Sequence, residues 1–277
     1  MNGYESKYSN VSQTVRRFSP RSILAILVIV YLLMMAHAYF FADRMIFQPA
    51  PSSYRDEGSI LKIPVGGSNS SISAIYLPNP DAKYTILYSH GNAEDLGDIR
   101  DTLTRYRERG FSVIAYDYRG YGTSAGIPSE KAACEDIGAV YAHLVGPLRI
   151  NPKLVIVYGR SIGGGPSLDL AARQPVAALI LESTFTSIFR VPARIPLFPF
   201  DKFENIRKIE EIGCPVLVIH GKRDEIIPFW HGEKLYEQAR EPKMQLWVDR
   251  ADHNNLLEVA TEEYWLVLER FLRLIKD

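Results

Sequence analysis

Residues 154–173 read LVIVYGRSIGGGPSLDLAAR, and this stretch decides the fold. LVIVY is a continuous apolar run bounded by glycine, which marks a strand buried on both faces rather than one with a wet side. After the glycines, from residue 162, the apolar positions fall at helical spacing. A buried strand, a tight turn and a helix form the repeating unit of a parallel sheet. The same alternation extends outward in both directions. Short runs rich in Val, Ile and Tyr occur at 72–77 (ISAIYL), 84–89 (YTILYS), 112–118 (SVIAYDY), 177–182 (AALILE), 215–220 (PVLVIH) and 244–248 (MQLWV). Helically spaced stretches lie at 95–109, 130–145, 229–240 and 254–275. The expectation is an α/β fold with a mostly parallel central sheet and helices on both faces. In such sheets ligands sit at the carboxyl ends of the strands, so the chemistry is sought just after each run.

The turn after LVIVY is Gly159-Arg160-Ser161-Ile162-Gly163, followed by Gly164 and Gly165. G-x-S-x-G is weak alone, but between a buried strand and a helix it fits a nucleophile elbow, where glycines let a strained turn form and lift the hydroxyl clear. The helix that follows turns its N-terminus toward the site, which favours developing negative charge. A serine hydroxyl needs a base, and the base needs an orienting acid. Asp224 follows the strand at 215–220, 63 residues beyond Ser161, and His253 follows the strand at 244–248, 29 residues further on. The order Ser161, Asp224, His253, each after a successive strand, is the α/β-hydrolase order. Glu182, at the end of its own strand, is the rival acid; Asp249 and Asp252 share the loop of His253 and are poorly placed to hold its far nitrogen. Among the histidines, His90 and His220 end strands before glycine, and His143 and His231 fall in helical segments. His253 alone has the required order and place.

An oxyanion hole takes one backbone N–H from the residue after the nucleophile and one from an earlier loop. Ile162 meets the first condition. The second falls to His90-Gly91-Asn92-Ala93, with Asn92 as the expected donor and Ala93 as the alternative. The glycines at 120, 122 and 126, after the strand at 112–118, have the wrong spacing for a dinucleotide fingerprint, and Asp117 and Arg119 beside them read as turn-fixing residues. There is no phosphate-loop motif and no metal-ligand spacing, so no cofactor and no metal are expected.

The chain has 277 residues and zero formal net charge, which argues against a nucleic-acid partner. That zero averages two unlike parts. Residues 1–42 carry Lys7, Arg16, Arg17 and Arg21 against Glu5, a net +3, so the remainder is −3. Residues 23–42, ILAILVIVYLLMMAHAYFFA, carry no charge apart from titratable His37, and about 20 helical residues span a bilayer core. Residues 1–21 are read as a disordered basic tail, 22–42 as a transmembrane anchor, 43–58 as a linker and 59–277 as one catalytic domain. The arginines before the apolar run favour a cytoplasmic N-terminus. A cleaved signal peptide is the alternative, since Ala36-His37-Ala38 forms an A-x-A site, although the apolar run continues past it to Phe41. His37, near the end of a single span, has no partner helix to work with. Cys134 and Cys214 lack metal or C-x-x-C spacing and read as buried thiols without a role.

YSHGNAEDLGD, YDYRGYGTSAGIPSE, YGRSIGGGPSLDLA, VIHGKRDEIIPFWHG and ADHNN, taken in order, resemble the membrane-associated serine α/β-hydrolases that include the eukaryotic protein depalmitoylases and their single-pass type II membrane relatives. The likeness covers roughly residues 40–275. It implies an α/β-hydrolase fold with Ser161 as nucleophile, Asp224 as acid and His253 as base, and the apolar leader resembles the anchor of those relatives. One departure is that the depalmitoylase branch attaches through a palmitoylated N-terminal cysteine cluster, whereas residues 1–42 contain no Cys. Many such folds carry a helical lid after the strand at 177–182. Here Pro192, Pro196 and Pro199 forbid a long helix in 183–200, leaving a short Pro-rich cap that is either an apolar rim for an acyl chain or a packed loop. The expected activity is serine hydrolysis of an ester or thioester of a small or lipid-like acyl substrate. A serine peptidase and a non-catalytic membrane-tethered binding protein are the alternatives.

Overall fold

The computed structural model of the chain describes residues 19–66 and 70–276, in two units, Met1–Phe41 and Ala42–Asp277. Of the expected N-terminal tail, residues 1–18 lie outside the described residues.

Helix α1 (Pro20–Ile46) begins two residues before the anchor read at 22–42 and ends four after it. Its start is set by Ser19, whose Oγ accepts from Ser22 N at 3.2 Å, and by Pro20 at a position where no N–H is needed. The helix is long and apolar enough to cross a membrane. Within it His37 stacks on Phe41 at 5.0 Å between ring centroids.

In the second unit the sheet runs in the order β1-β2-β4-β3-β5-β6-β7-β8 among the described residues. These strands are β1 (Ile60–Pro64), β2 (Ser71–Leu77), β3 (Thr85–Ser89), β4 (Ser112–Tyr116), β5 (Val155–Arg160), β6 (Ala178–Glu182), β7 (Val216–Gly221) and β8 (Lys243–Val248). Pairing is parallel from β4 through β8, while β1 and β2 are antiparallel. β3, β4, β6 and β7 are buried along their whole length, as their continuous apolar runs require.

Helices α2 (Arg100–Glu108), α3 (Glu130–Val145), α4 (Gly164–Arg173), α5 (Asn205–Lys208), α6 (Trp230–Gln238) and α7 (Leu256–Leu272) cover the sheet. Successive strand residues point to opposite faces, so two cores form. Val155 and Val157 of β5 join Ile137 and Val140 of α3, Leu168 of α4 and Leu235 of α6 on one side. Ile156 and Tyr158 join Leu103 and Tyr106 of α2 and Tyr264 and Leu268 of α7 on the other. Each fully buried aliphatic side chain contributes roughly 1.5–3 kcal/mol. The carboxyl ends of β3, β5, β7 and β8 deliver the loops that carry Asn92, Ser161, Asp224 and His253.

Candidate active site

Ser161 sits where β5 turns into α4 through a single 3-10 turn, Ser161–Gly163, and its φ is +51°. A non-glycine residue in the left-handed region costs about 1–2 kcal/mol and persists only where its surroundings hold it. The surroundings here are specific. A Cβ on Gly163 would collide with the carbonyl of Ser89, one on Gly159 with backbone of Gly163 and Gly164, and one on Gly164 with the Thr184 side chain. The Thr184 hydroxyl donates to the Ser161 carbonyl at 2.7 Å and fastens the turn from the end of β6. The three glycines are therefore required by close approach of neighbouring chain.

The structure brings Ser161, His253 and Asp224 together. His253 Nε2 stands 3.0 Å from Ser161 Oγ, and Nδ1 stands 2.8 Å from Asp224 Oδ2. All three are buried. The carboxylate on Nδ1 holds the proton there and leaves Nε2 to accept from the serine. Asp224 is itself fixed, since its Oδ1 accepts from the N–H groups of Ile226 (3.0 Å) and Ile227 (2.7 Å). Burial alone would raise the Asp224 carboxyl, but hydrogen bonding from His220 and His253 and the backbone donors outweigh it and hold the group well below the usual carboxylate range.

Loop 90–96, between β3 and α2, lies beside this constellation: a Cβ on Gly91 would meet Arg160, the residue before Ser161. Among the described residues, the backbone N–H groups of Asn92 and Ala93, the two donors weighed from the sequence, meet no protein acceptor. Ala93 takes a left-handed φ of +58°.

Known proteins share this framework. The sequence profile of the family described as "Serine aminopeptidase, S33" matches residues 80–199. Alpha/beta hydrolase domain-containing protein 17B of Xenopus tropicalis is 46% identical over 200 residues, covering 71% of this chain and 68% of that protein. The human 17B protein is 45% identical over 202 residues, covering 72% and 68%. The chain belongs to the α/β-hydrolase-domain protein family. It is a hydrolase of the branch that the sequence motifs resemble, and mouse 17C, 42% identical over 199 residues, covering 71% of this chain and 61% of that protein, lies in the same group. Among solved structures, a Pyrococcus furiosus esterase superposes with a TM-score of 0.67 at 20% identity, covering 82% of this chain and 98% of its own. The Pyrococcus horikoshii acylaminoacyl peptidase superposes at 0.65 with 14% identity, covering 80% and 42%. Both show the α/β-hydrolase fold.

In this hydrolase Glu182, the rival acid, is engaged elsewhere. Its carboxylate accepts from Tyr158 OH and pairs with Arg160 Nε at 3.4 Å. Arg160 is a residue that sequence reasoning passed over. Its Nη1 meets Glu94 at 2.5 Å, and its Nη2 donates to the His253 carbonyl (3.1 Å) and Asn254 Oδ1 (2.8 Å). A guanidinium one residue before Ser161 thus ties the loop of His253 to β5. Its only sequence signal was a charged residue at the end of a buried strand.

Asp117 and Arg119, read as turn-fixing residues, make their side-chain contacts with neighbouring elements instead. Asp117 Oδ1 accepts from Leu96 N at 2.9 Å and lies 3.3 Å from His90 Nε2; Arg119 Nε donates to Asp136 at 2.7 Å. His143 lies in the last turn of α3. Cys134 and Cys214 are half-buried and unpaired, each thiol pushed up to about 12 by burial. In the cap, Phe189, Phe198 and Phe200 pack on one another while Ile195 stays 68% exposed, so the segment is partly packed and partly an open apolar rim.

His231 accepts from Thr186 N at 3.1 Å through Nδ1 and is held neutral. Burial first, then nearby His220 and Arg190, lower its pKa from 6.5 to about 3. Between those values the unfolded chain binds a proton that the folded chain refuses, so stability rises with pH across the window and is lost on acidification. Thermal unfolding is expected at lower temperature as pH falls from 6.5 to 4, with a shallower slope in His231→Gln. Equal slopes would remove His231 as the cause.

Proposed function

We propose that this chain is a membrane-anchored serine hydrolase that cleaves ester or thioester bonds of lipid-like acyl substrates. The observation that carries the reading is the continuous Ser161–His253–Asp224 hydrogen-bonded chain on a left-handed serine. Ser161 Oγ attacks the acyl carbonyl while His253 Nε2 takes its proton; Asp224 holds the imidazolium. The N–H groups of Asn92 and Ile162 receive the oxyanion. Collapse expels the alcohol or thiol, which takes the proton back from His253, and water then repeats the sequence on the acyl-enzyme. The apolar rim at Ile195 and Leu197 suits an acyl chain, and α1 supplies the anchor, with the N-terminus on the cytoplasmic side from the arginines at 16, 17 and 21.

A fluorophosphonate probe is expected to place one adduct on Ser161, located by mass spectrometry. Among p-nitrophenyl esters of rising chain length, acyl-thioesters and aminoacyl amides, longer esters or thioesters are expected to turn over fastest. Preference for the amides would favour the peptidase reading, for which the serine aminopeptidase profile speaks. An adduct elsewhere, or no turnover of any substrate, would favour a binding protein.

A further inference from the structure

The loop that carries Asn92 and Ala93 is held by chain far from it in sequence. Asn92 Nδ2 donates to the Ile46 carbonyl at 2.7 Å, while its Oδ1 accepts from Gln48 N (3.2 Å) and Tyr121 OH (2.5 Å). Gln48 N also donates to Tyr121 OH at 3.0 Å. Three residues along the loop, Asp95 accepts from Ser53 N at 2.7 Å and from the Ser53 hydroxyl. Tyr54 OH donates to Asp117 Oδ2 at 2.5 Å, and the other oxygen of that carboxylate accepts from Leu96 N. Between these grips Phe47 is buried as a wedge, its ring centroid 6.2 Å from Phe203 and 6.4 Å from both Tyr118 and Tyr121.

Residues 46–54 thus hold the loop directly at Asn92 and Asp95 and, through Asp117, at Leu96, and the named bonds run to the loop and its supports rather than to Ser161 or His253. The loop needs such a hold, because Ala93 is exposed and sits at a φ of +58°, a conformation its own residues do not favour. We propose that residues 46–54 are a positioning strap for the oxyanion hole, so that the chain immediately following α1 sets how well the transition state is stabilised. The inference rests on the reading of this loop as an oxyanion donor. Donors act only when about 2.7–3.1 Å from where the oxyanion forms, and a displacement near 1 Å can cost about 100-fold.

The test uses the full-length protein and a p-nitrophenyl ester, with Asn92→Ala, which keeps the loop N–H but removes its side-chain bonds, and Gln48→Pro, which removes the strap's donor. Both are expected to lower kcat about 10- to 100-fold with KM changed less than threefold. The inhibition constant of a trifluoromethyl ketone analogue, whose hemiketal oxyanion occupies the hole, should rise by the same factor as kcat/KM falls. Fluorophosphonate titration measures the competent fraction. Should Gln48→Pro fold poorly, Tyr121→Phe is judged by the same parallel at smaller amplitude. Unchanged kcat, or a loss that appears wholly as a reduced competent fraction with an unchanged inhibition constant, overturns the strap. Full labelling of Ser161→Ala by the probe would instead overturn the catalytic reading on which it rests.

Discussion

Ser161→Ala is expected to lower ester turnover by about 10⁴- to 10⁶-fold while leaving KM within a few-fold, because in the proposed mechanism the hydroxyl acts in bond making and contributes little to ground-state binding. The residual rate over water is what the oxyanion donors supply alone. Asp224→Asn should cost about 10⁴-fold by a different route. An amide opposite His253 Nδ1 no longer requires the proton on that nitrogen, so Nε2, 3.0 Å from Ser161 Oγ, is left as donor rather than acceptor. If the three residues act as one unit, as proposed, the double variant should be no slower than Ser161→Ala. Multiplicative losses in the double variant would show that Asp224 acts outside the unit. Stability supplies an independent check. At a φ of +51° alanine is as strained as serine, whereas glycine is not, so Ser161→Gly should be more stable than Ser161→Ala by about 1 kcal/mol, read by denaturant unfolding. An equal midpoint would mean that the turn is held without strain.

The parts legible in the sequence were those whose physics is local. β3, β4, β6 and β7 stood out because strands buried on both faces must be apolar throughout. Ser161, Asp224 and His253 stood out because each follows an apolar run of the parallel sheet, and strand ends are where such a sheet gathers its loops. β1 escaped notice: ILKIP, paired antiparallel with β2 and half-exposed, is short and interrupted by Lys62, which bonds across to Ser73 Oγ at 2.8 Å. α2 starts at Arg100 rather than near 95, because the Asp95 and Asp98 carboxylates take the N–H groups of Gly97 and Asp95 and make a turn there. Residues 47–54, with Pro49, Pro51 and a serine pair, have the composition of a linker, yet they are docked on the loop of Asn92 and Asp95. Composition reports local flexibility, and the bonds that overrule it join residues more than 40 positions apart. Arg160 was invisible for the same reason, its partners lying on three other segments.

Arg160→Ala is therefore expected to be the most destabilising single change at the site, costing about 3–5 kcal/mol. The guanidinium is 11% exposed and faces Glu94 at 27% and Glu182 at 10%, so its removal leaves two carboxylates confined together with no cation. For a domain of this size each kcal/mol moves the melting temperature by roughly 2–4 °C, so a fall of about 6–20 °C is expected in calorimetry. The loss should depend on pH in a defined direction. Burial already raises the Glu182 pKa, with Arg160 as the largest opposing influence. Without Arg160 the carboxyl should rise further, so that the folded variant binds a proton at a pH where the unfolded chain does not. A group with a raised folded pKa gains stability as pH falls, so the deficit relative to wild type should be largest near pH 8 and shrink toward pH 5. Arg160→Lys keeps the charge but loses the fork that reaches both the His253 carbonyl and Asn254, and should fall between the two in stability while still losing activity. A deficit that is constant from pH 5 to 8 would show that the cost of the alanine variant comes from lost contact with the base loop and not from stranded carboxylates.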